Sequence, residues 1–307
     1  MQAKPVTMLI ALSLIWGASF MFIKVMLEET GPVAVGWLRM GMGALLLIVV
    51  VGVRGLQVPR EPRYWAAAVV IGVVASAVPL VLIPWGEQEI DSNLAAILNS
   101  GMPLFTAIFA HLAITEERLT PARALGLLVG FAGVAIVIGP DLFDLGAAGT
   151  RGQLAIILAT VGYAAGAVIS RRLISGVDST VLAASQITIA FIVVTPLLLA
   201  TEGAPAIGDF SSRVLLATLG LGLGGTGVGY LLYFWLIAHT DATRTALVTY
   251  LLPVTAIGWG WLILNEGLEP AFVPGLALII AGIFLVSRRT SSAEAISTAV
   301  TATGGED

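Results

Sequence analysis

Arg39 is the one strong base inside an apolar run, the stretch 33–53. A charge at that depth costs about 2.5–3.5 kcal/mol on insertion scales, so it needs compensation. A guanidinium carries a planar fork of donors that fits a carboxylate in a bidentate manner. Turned toward a central cavity, Arg39 would hold an anionic group. Turned outward, it would snorkel to headgroups or pair with Glu28 or Glu29.

Pro103 and Pro253 add backbone chemistry. Each removes a donor and frees a carbonyl one turn earlier, at Asn99 and Thr249. A helix broken near the midplane can offer carbonyls and helix-end dipoles to a small ligand. An ordinary kink satisfied by a neighbouring helix is the alternative. Asn99 lies one turn before Pro103, and Tyr250 nearly one turn before Pro253, so both are candidate cavity residues.

Trp16, Ser19 and Phe20 share one helix face. Trp16 falls near the centre of its run, so its indole N–H needs an acceptor. Tyr163 is its counterpart further on, and the two form either a cavity-lining aromatic pair or helix-packing aromatics. Tyr230 and Tyr233, one turn apart, are cavity residues or interfacial anchors. Tyr64 and Trp65 open a span and are expected in the interfacial belt.

Enzyme chemistry finds little support. Cys is absent, and His111 and His239 belong to no metal-ligand cluster. The His-x4-Glu that starts at His111 lacks the Asp and the companion motif of an acyl-transfer site, and hydrolase and zinc-protease signatures are missing. No catalytic residue, metal or cofactor is expected. No Asp or Glu falls well inside a span, so no carboxylate relay is visible. His111, or span-end acids such as Glu87 and Glu89, are what remains for coupling. Proton antiport, exchange and facilitated diffusion stay open.

The elements that position these residues follow from composition. The 307 residues are 58% hydrophobic and 11% charged, with a mean hydropathy of +0.98. That describes an all-α polytopic membrane protein. The net charge of -4 argues against a broadly basic surface and a nucleic-acid partner. The partners expected are the lipid bilayer and a small-molecule substrate; a homodimer stays open.

Ten transmembrane helices are predicted at 6–26, 33–53, 64–86, 92–114, 121–139, 150–170, 179–200, 212–238, 243–264 and 270–287. The first is too long for a signal-peptide core and is read as retained. The segment 290–307, rich in Ser, Thr and Ala, reads as a disordered cytoplasmic tail.

Lys and Arg set the orientation. Lys4, Arg54, Arg60, Arg63, Arg118, Arg123, Arg171, Arg172, Arg244, Arg288 and Arg289 fall on one side; Lys24, Arg151 and Arg213 fall on the other. The richer side should be cytoplasmic, which puts both termini inside a cell membrane. Glu28, Glu29, Glu87, Glu89, Asp141, Asp144, Glu202 and Asp209 lean outward.

The pattern occurs twice. Trp85, Asp91, Pro103 and Glu116 recur 150 positions on as Trp235, Asp241, Pro253 and Glu266. Gly126 and Gly133 recur as Gly275 and Gly282. Trp16, Lys24 and Arg39 match Tyr163, Arg171 and Gln186 at a step of 147. The halves, 6–139 and 150–288, hold five spans each. An odd count turns the second half upside down, giving two inverted five-helix repeats around a midplane cavity, the architecture of alternating access. In the eighth span Gly220 with Gly224, and Gly225 with Gly229, form small-xxx-small pairs for close packing or for a flexible element. A nucleotide-binding loop is excluded there, because the stretch is apolar and embedded.

The chain resembles the EamA family of the drug/metabolite transporter superfamily. The residues that carry the likeness are Leu14 to Phe20, Pro32 with Arg39, Asn99 to Pro103, Thr115 to Leu119 and Gly126 to Gly133. Pro253, Asn265 to Leu268 and Gly275 to Gly282 repeat it. The resemblance covers about residues 6–288. It implies ten spans, a central cavity and the transport of small metabolites, often amino acids and often outward. Gln186 stands where the first half has Arg39, so the halves should bind different groups. Arg39, Trp16, Ser19, Asn99, Tyr163, Gln186, Tyr230 and Tyr250 are the candidate binding residues. Drugs, quaternary amines or purines are the alternative cargo. A membrane-embedded enzyme and a passive channel are the rival classes.

Overall fold

Helix signals in the chain map closely onto a computed structural model, which describes residues 3–113, 120–138, 149–173, 176–239, 242–267 and 269–287. The expected tail at 290–307, and Glu116 with its neighbours 114–119, lie outside the described residues.

The described residues are helical. The helices are α1 (Ala3–Met26), α2 (Pro32–Val53), α3 (Pro62–Gly72), α4 (Val78–Glu87), α5 (Ser92–Asn99), α6 (Met102–Ala113) and α7 (Pro121–Ile138). After them come α8 (Thr150–Leu173), α9 (Ser179–Thr201), α10 (Ser212–Leu219), α11 (Gly229–His239), α12 (Ala242–Trp259) and α13 (Phe272–Ser287). Seven helical stretches among them are long and apolar enough to cross a membrane, and three shorter ones are apolar as well. Pro32, Pro62 and Pro121 open their helices, where a missing N–H costs nothing.

Two rods change pitch midway. The π-helical segment Val73–Ala77 joins α3 to α4, and Gly220–Val228 joins α10 to α11. At a step of 150 the first segment falls within the second, so both halves carry the feature. A third π segment, Gly260–Leu264, ends α12. Periodicity alone does not reveal such widened turns, which often mark functional sites.

At one end of the bundle, four helix N-termini receive carboxylates from elsewhere in the chain. Glu202 accepts from Val33 N and Ala34 N of α2, both at 2.9 Å. Glu266 accepts from Ser92 N (3.0 Å) and Asn93 N (3.1 Å) of α5, and from Ser92 Oγ at 2.8 Å. Glu89 accepts from Gly152 N of α8 at 3.1 Å, and Glu29 from Ser211 N ahead of α10 at 2.9 Å. Free amide donors and the positive end of the helix dipole favour an anion at each place. This gives a physical reason for acids gathering on this side.

Glycines set the closest helix approaches. α7 and α13 pack backbone to backbone, so a Cβ on Gly133 would meet Gly275 O at 2.6 Å and one on Gly282 would meet Gly126 O at 2.6 Å. These are the glycines that recur between the halves. Within Gly220–Val228, Gly222 faces Met42, Gly227 faces Leu46 and Gly225 faces Ser19. Of the expected small-residue pairs, Gly220, Gly225 and Gly229 pack closely, against Phe22, Ser19 and Trp16, whereas Gly224 faces open space, so the Gly220–Gly224 pair does not form a close contact.

Candidate functional site

α2 presents Arg39 to the π segment at Gly220–Val228. The side chain is 8% exposed, and its Nε donates to Thr226 Oγ1 at 2.9 Å. Thr226 in turn lies 3.4 Å from Leu221 O, five residues back, as the widened turn dictates. Among the described residues no carboxylate lies within 4 Å of the guanidinium. The acids considered as its partners are engaged elsewhere: Glu28 pairs with Arg213 at 3.1 Å, and Glu29 accepts from Ser211 N.

The same segment binds α1. Trp16 Nε1 donates to Gly225 O at 3.0 Å, which supplies the acceptor its depth requires. Its ring meets Tyr230 edge-on at 6.4 Å and Tyr233 at 5.4 Å. Tyr163 is therefore not its ring partner. That residue packs against the core on both sides of α8 and lies in electrostatic range of Arg39, as does Tyr230. Gln186 is buried on α9, and together with Ser76 it faces the Tyr230 hydroxyl. Ser19 is buried against Gly225 and donates to Ile15 O. Asn99 accepts through its Oδ1 from Thr160 Oγ1 at 3.2 Å, one turn from Tyr163 on α8. The side chain of Tyr250 lies outside the described residues.

The two prolines differ. α5 ends at Asn99, the chain turns through Ser100 and Gly101, and α6 starts at Met102 with Pro103 in its first turn. A break exists there. Pro253 lies within a continuous α12, so the second break expected from it is absent. Gly101 explains the difference, because its counterpart 150 positions on is Leu251. Glycine disfavours helix by roughly 1 kcal/mol where leucine favours it. α12 is disturbed later instead, at Gly260–Leu264 and at Asn265, whose φ is 56°.

Two further readings change. Tyr64 is buried, and its hydroxyl bonds Ser185 Oγ at 2.8 Å, so it is no belt residue; Trp65 is exposed and donates to Pro59 O. Glu87, kept as a span-end acid for coupling, is completely buried. Its position at a helix end hid this, because the end of α4 is covered by α1, α5 and α8.

Apolar helices of membrane length enclose a buried guanidinium, hydroxyls and tyrosines, which defines a multi-pass membrane protein with a polar interior. The chain belongs to the EamA-like transporter family, whose family model matches it twice, over residues 3–139 and 150–288. It is similar to the uncharacterized transporter YoaV of Bacillus subtilis, 21% identical over 284 residues, with 92% of this chain and 97% of YoaV covered. A probable terminal-alkyne amino-acid exporter of Streptantibioticus cattleyicolor is 24% identical over 288 residues, covering 94% and 95%. A solved crystal structure shares the fold at a TM-score of 0.67 and 22% identity, covering 93% of this chain and 96% of that one.

Proposed function

We propose that the chain is a secondary carrier that moves a small carboxylate-bearing metabolite, an amino acid or a close relative, out of the cell by alternating access. Ten crossings in two inverted five-helix halves, 6–139 and 150–288, rock about the polar interior, with both termini cytoplasmic and the chain in the cell membrane. The observation that carries this reading is Arg39, buried and tethered through Nε alone, with no carboxylate beside it among the described residues. A buried guanidinium calls for an anion, and its remaining fork suits a carboxylate. Trp16 and Tyr230, in ring contact, and Tyr163, in electrostatic range of Arg39, would cover the apolar part of the cargo. The naming of one relative as a probable amino-acid exporter supports the cargo class. The matching places of the π segments Val73–Ala77 and Gly220–Val228 in the two halves support the two-half reading. The chain acts as a monomer or a homodimer, and the transport cycle is the same in either case.

Counterflow in proteoliposomes tests this, across labelled amino acids, purines and quaternary amines. Saturable counterflow of an amino acid is expected, with Arg39→Ala reduced to the level of protein-free liposomes while its elution and expression stay normal. Unsaturable flux would indicate a channel. Undiminished flux in Arg39→Ala would remove the arginine from the site.

A further inference from the structure

Glu87 terminates α4 and is fully enclosed, and among the described residues neither carboxyl oxygen has a hydrogen-bond partner. Its seat is tight. Gly86 lies against Gly152 O and Ile156 of α8, and Ile83, Ile90 and Ile156 belong to the surrounding core. Lys24 of α1 comes close, but its ammonium donates to main-chain oxygens, Glu87 O at 2.6 Å and Ile90 O at 2.7 Å. That cation completes the carbonyl end of the helix and leaves the carboxyl unpaired. The other charges facing Glu87 are Glu266, after α12, and Arg39 of α2.

Directly beyond Lys24 opens a cleft of about 630 Å³, lined by Lys24, Glu28, Asp91, Arg213, Asn265 and Glu266. Two of its lining groups, Lys24 and Glu266, also face Glu87. The carboxyl thus lies in electrostatic range both of groups that line a polar cleft and of Arg39.

We propose that Glu87 is the proton-binding site of the carrier, loaded and emptied as the cleft opens and closes over it. This rests on the transport reading above and adds the coupling ion. A carboxylate without water or donors is costly to enclose, and a carboxylic acid is far less so. Closed, the site holds the neutral acid. When the halves part and water reaches the cleft floor, the proton leaves to water, and the anion is then compensated by Lys24 and Arg39. Because Arg39 is also the proposed anchor for the cargo, proton and cargo act on one charge network.

The test uses the full-length protein in proteoliposomes. Infrared difference spectra between acid and alkaline pH, without any cargo, should show a buried carboxylic-acid band in the wild type that Glu87→Gln lacks. With a labelled amino-acid mixture, Glu87→Gln should keep counterflow at equal pH and lose accumulation driven by a pH gradient, and Glu87→Asp should restore part of it. Retained counterflow shows that the variant folds. A band unaltered in Glu87→Gln, or gradient-driven accumulation equal to wild type, overturns the proposal. Absent counterflow in the wild type speaks against the amino-acid reading, and the infrared result still decides Glu87.

Discussion

Arg39 and Thr226 tie the two halves of the sequence together through one 2.9 Å hydrogen bond. Their counterparts by the internal repeat are Gln186 and Ser76, and these face a common group, the Tyr230 hydroxyl. In each half, a helix of the other half meets the π segment through a polar side chain. One junction carries a charge and the other is neutral. Asymmetry of this kind lets a doubled scaffold hold a ligand with one charged end.

Thr226→Val removes the acceptor of Arg39 Nε and keeps the side-chain shape. A buried donor left without a partner costs about 1–3 kcal/mol. The melting temperature in detergent should fall, and counterflow should fall further as the fork loses its aim. Thr226→Ser should behave as wild type in both measurements. Equal loss in the two variants would show that packing, and not the hydroxyl, matters at this position.

The α7–α13 contact gives a purely mechanical prediction. A side chain on Gly282 would strike the Gly130 backbone, with Gly130 N at 2.5 Å, and a backbone cannot swing aside as a flexible side chain can. Overpacking of this kind costs about 1–3 kcal/mol or more. Gly282→Leu should lower the melting temperature clearly. Gly258→Ala, with open space around its Cβ position, should leave it unchanged or raise it slightly.

Apolar period and proline punctuation made the helices legible to within a few residues, because both are local signals. The cost of a charge at that depth singled out Arg39 but left inward and outward orientations open, and its burial settles them. Three features were hidden. The π segments depend on how many residues complete a turn against a neighbour, which Gly220–Val228 settles only once Met42 and Leu46 press on it. The continuity of α12 through Pro253 follows from Leu251 replacing a glycine, a difference that the repeat match passed over. The enclosure of Glu87 is tertiary: a residue at a span end reads as solvated until α1, α5 and α8 are laid over it. Of the acids on that face, Glu29, Glu89 and Glu202 proved to be caps, on helix starts far from them in the chain, so their role too is tertiary.

Glu29 makes those caps a pH question. It lies in the loop after α1, and hydrogen bonds from the Ser211 hydroxyl and the Ser211 N–H lower its carboxyl below the ordinary 4.5. A group depressed in the folded state binds its proton more readily when unfolded. Its stabilisation is therefore present above the ordinary value and is lost as pH falls through the lowered one. Glu29→Gln removes the charge at every pH. The melting temperature of Glu29→Gln should lie slightly below wild type at neutral pH, since an exposed carboxylate is strongly screened. The gap should narrow as pH drops below 4.5 and close in more acidic buffer. A gap that holds constant across the acid range would mean that the carboxylate's charge contributes nothing to the start of α10.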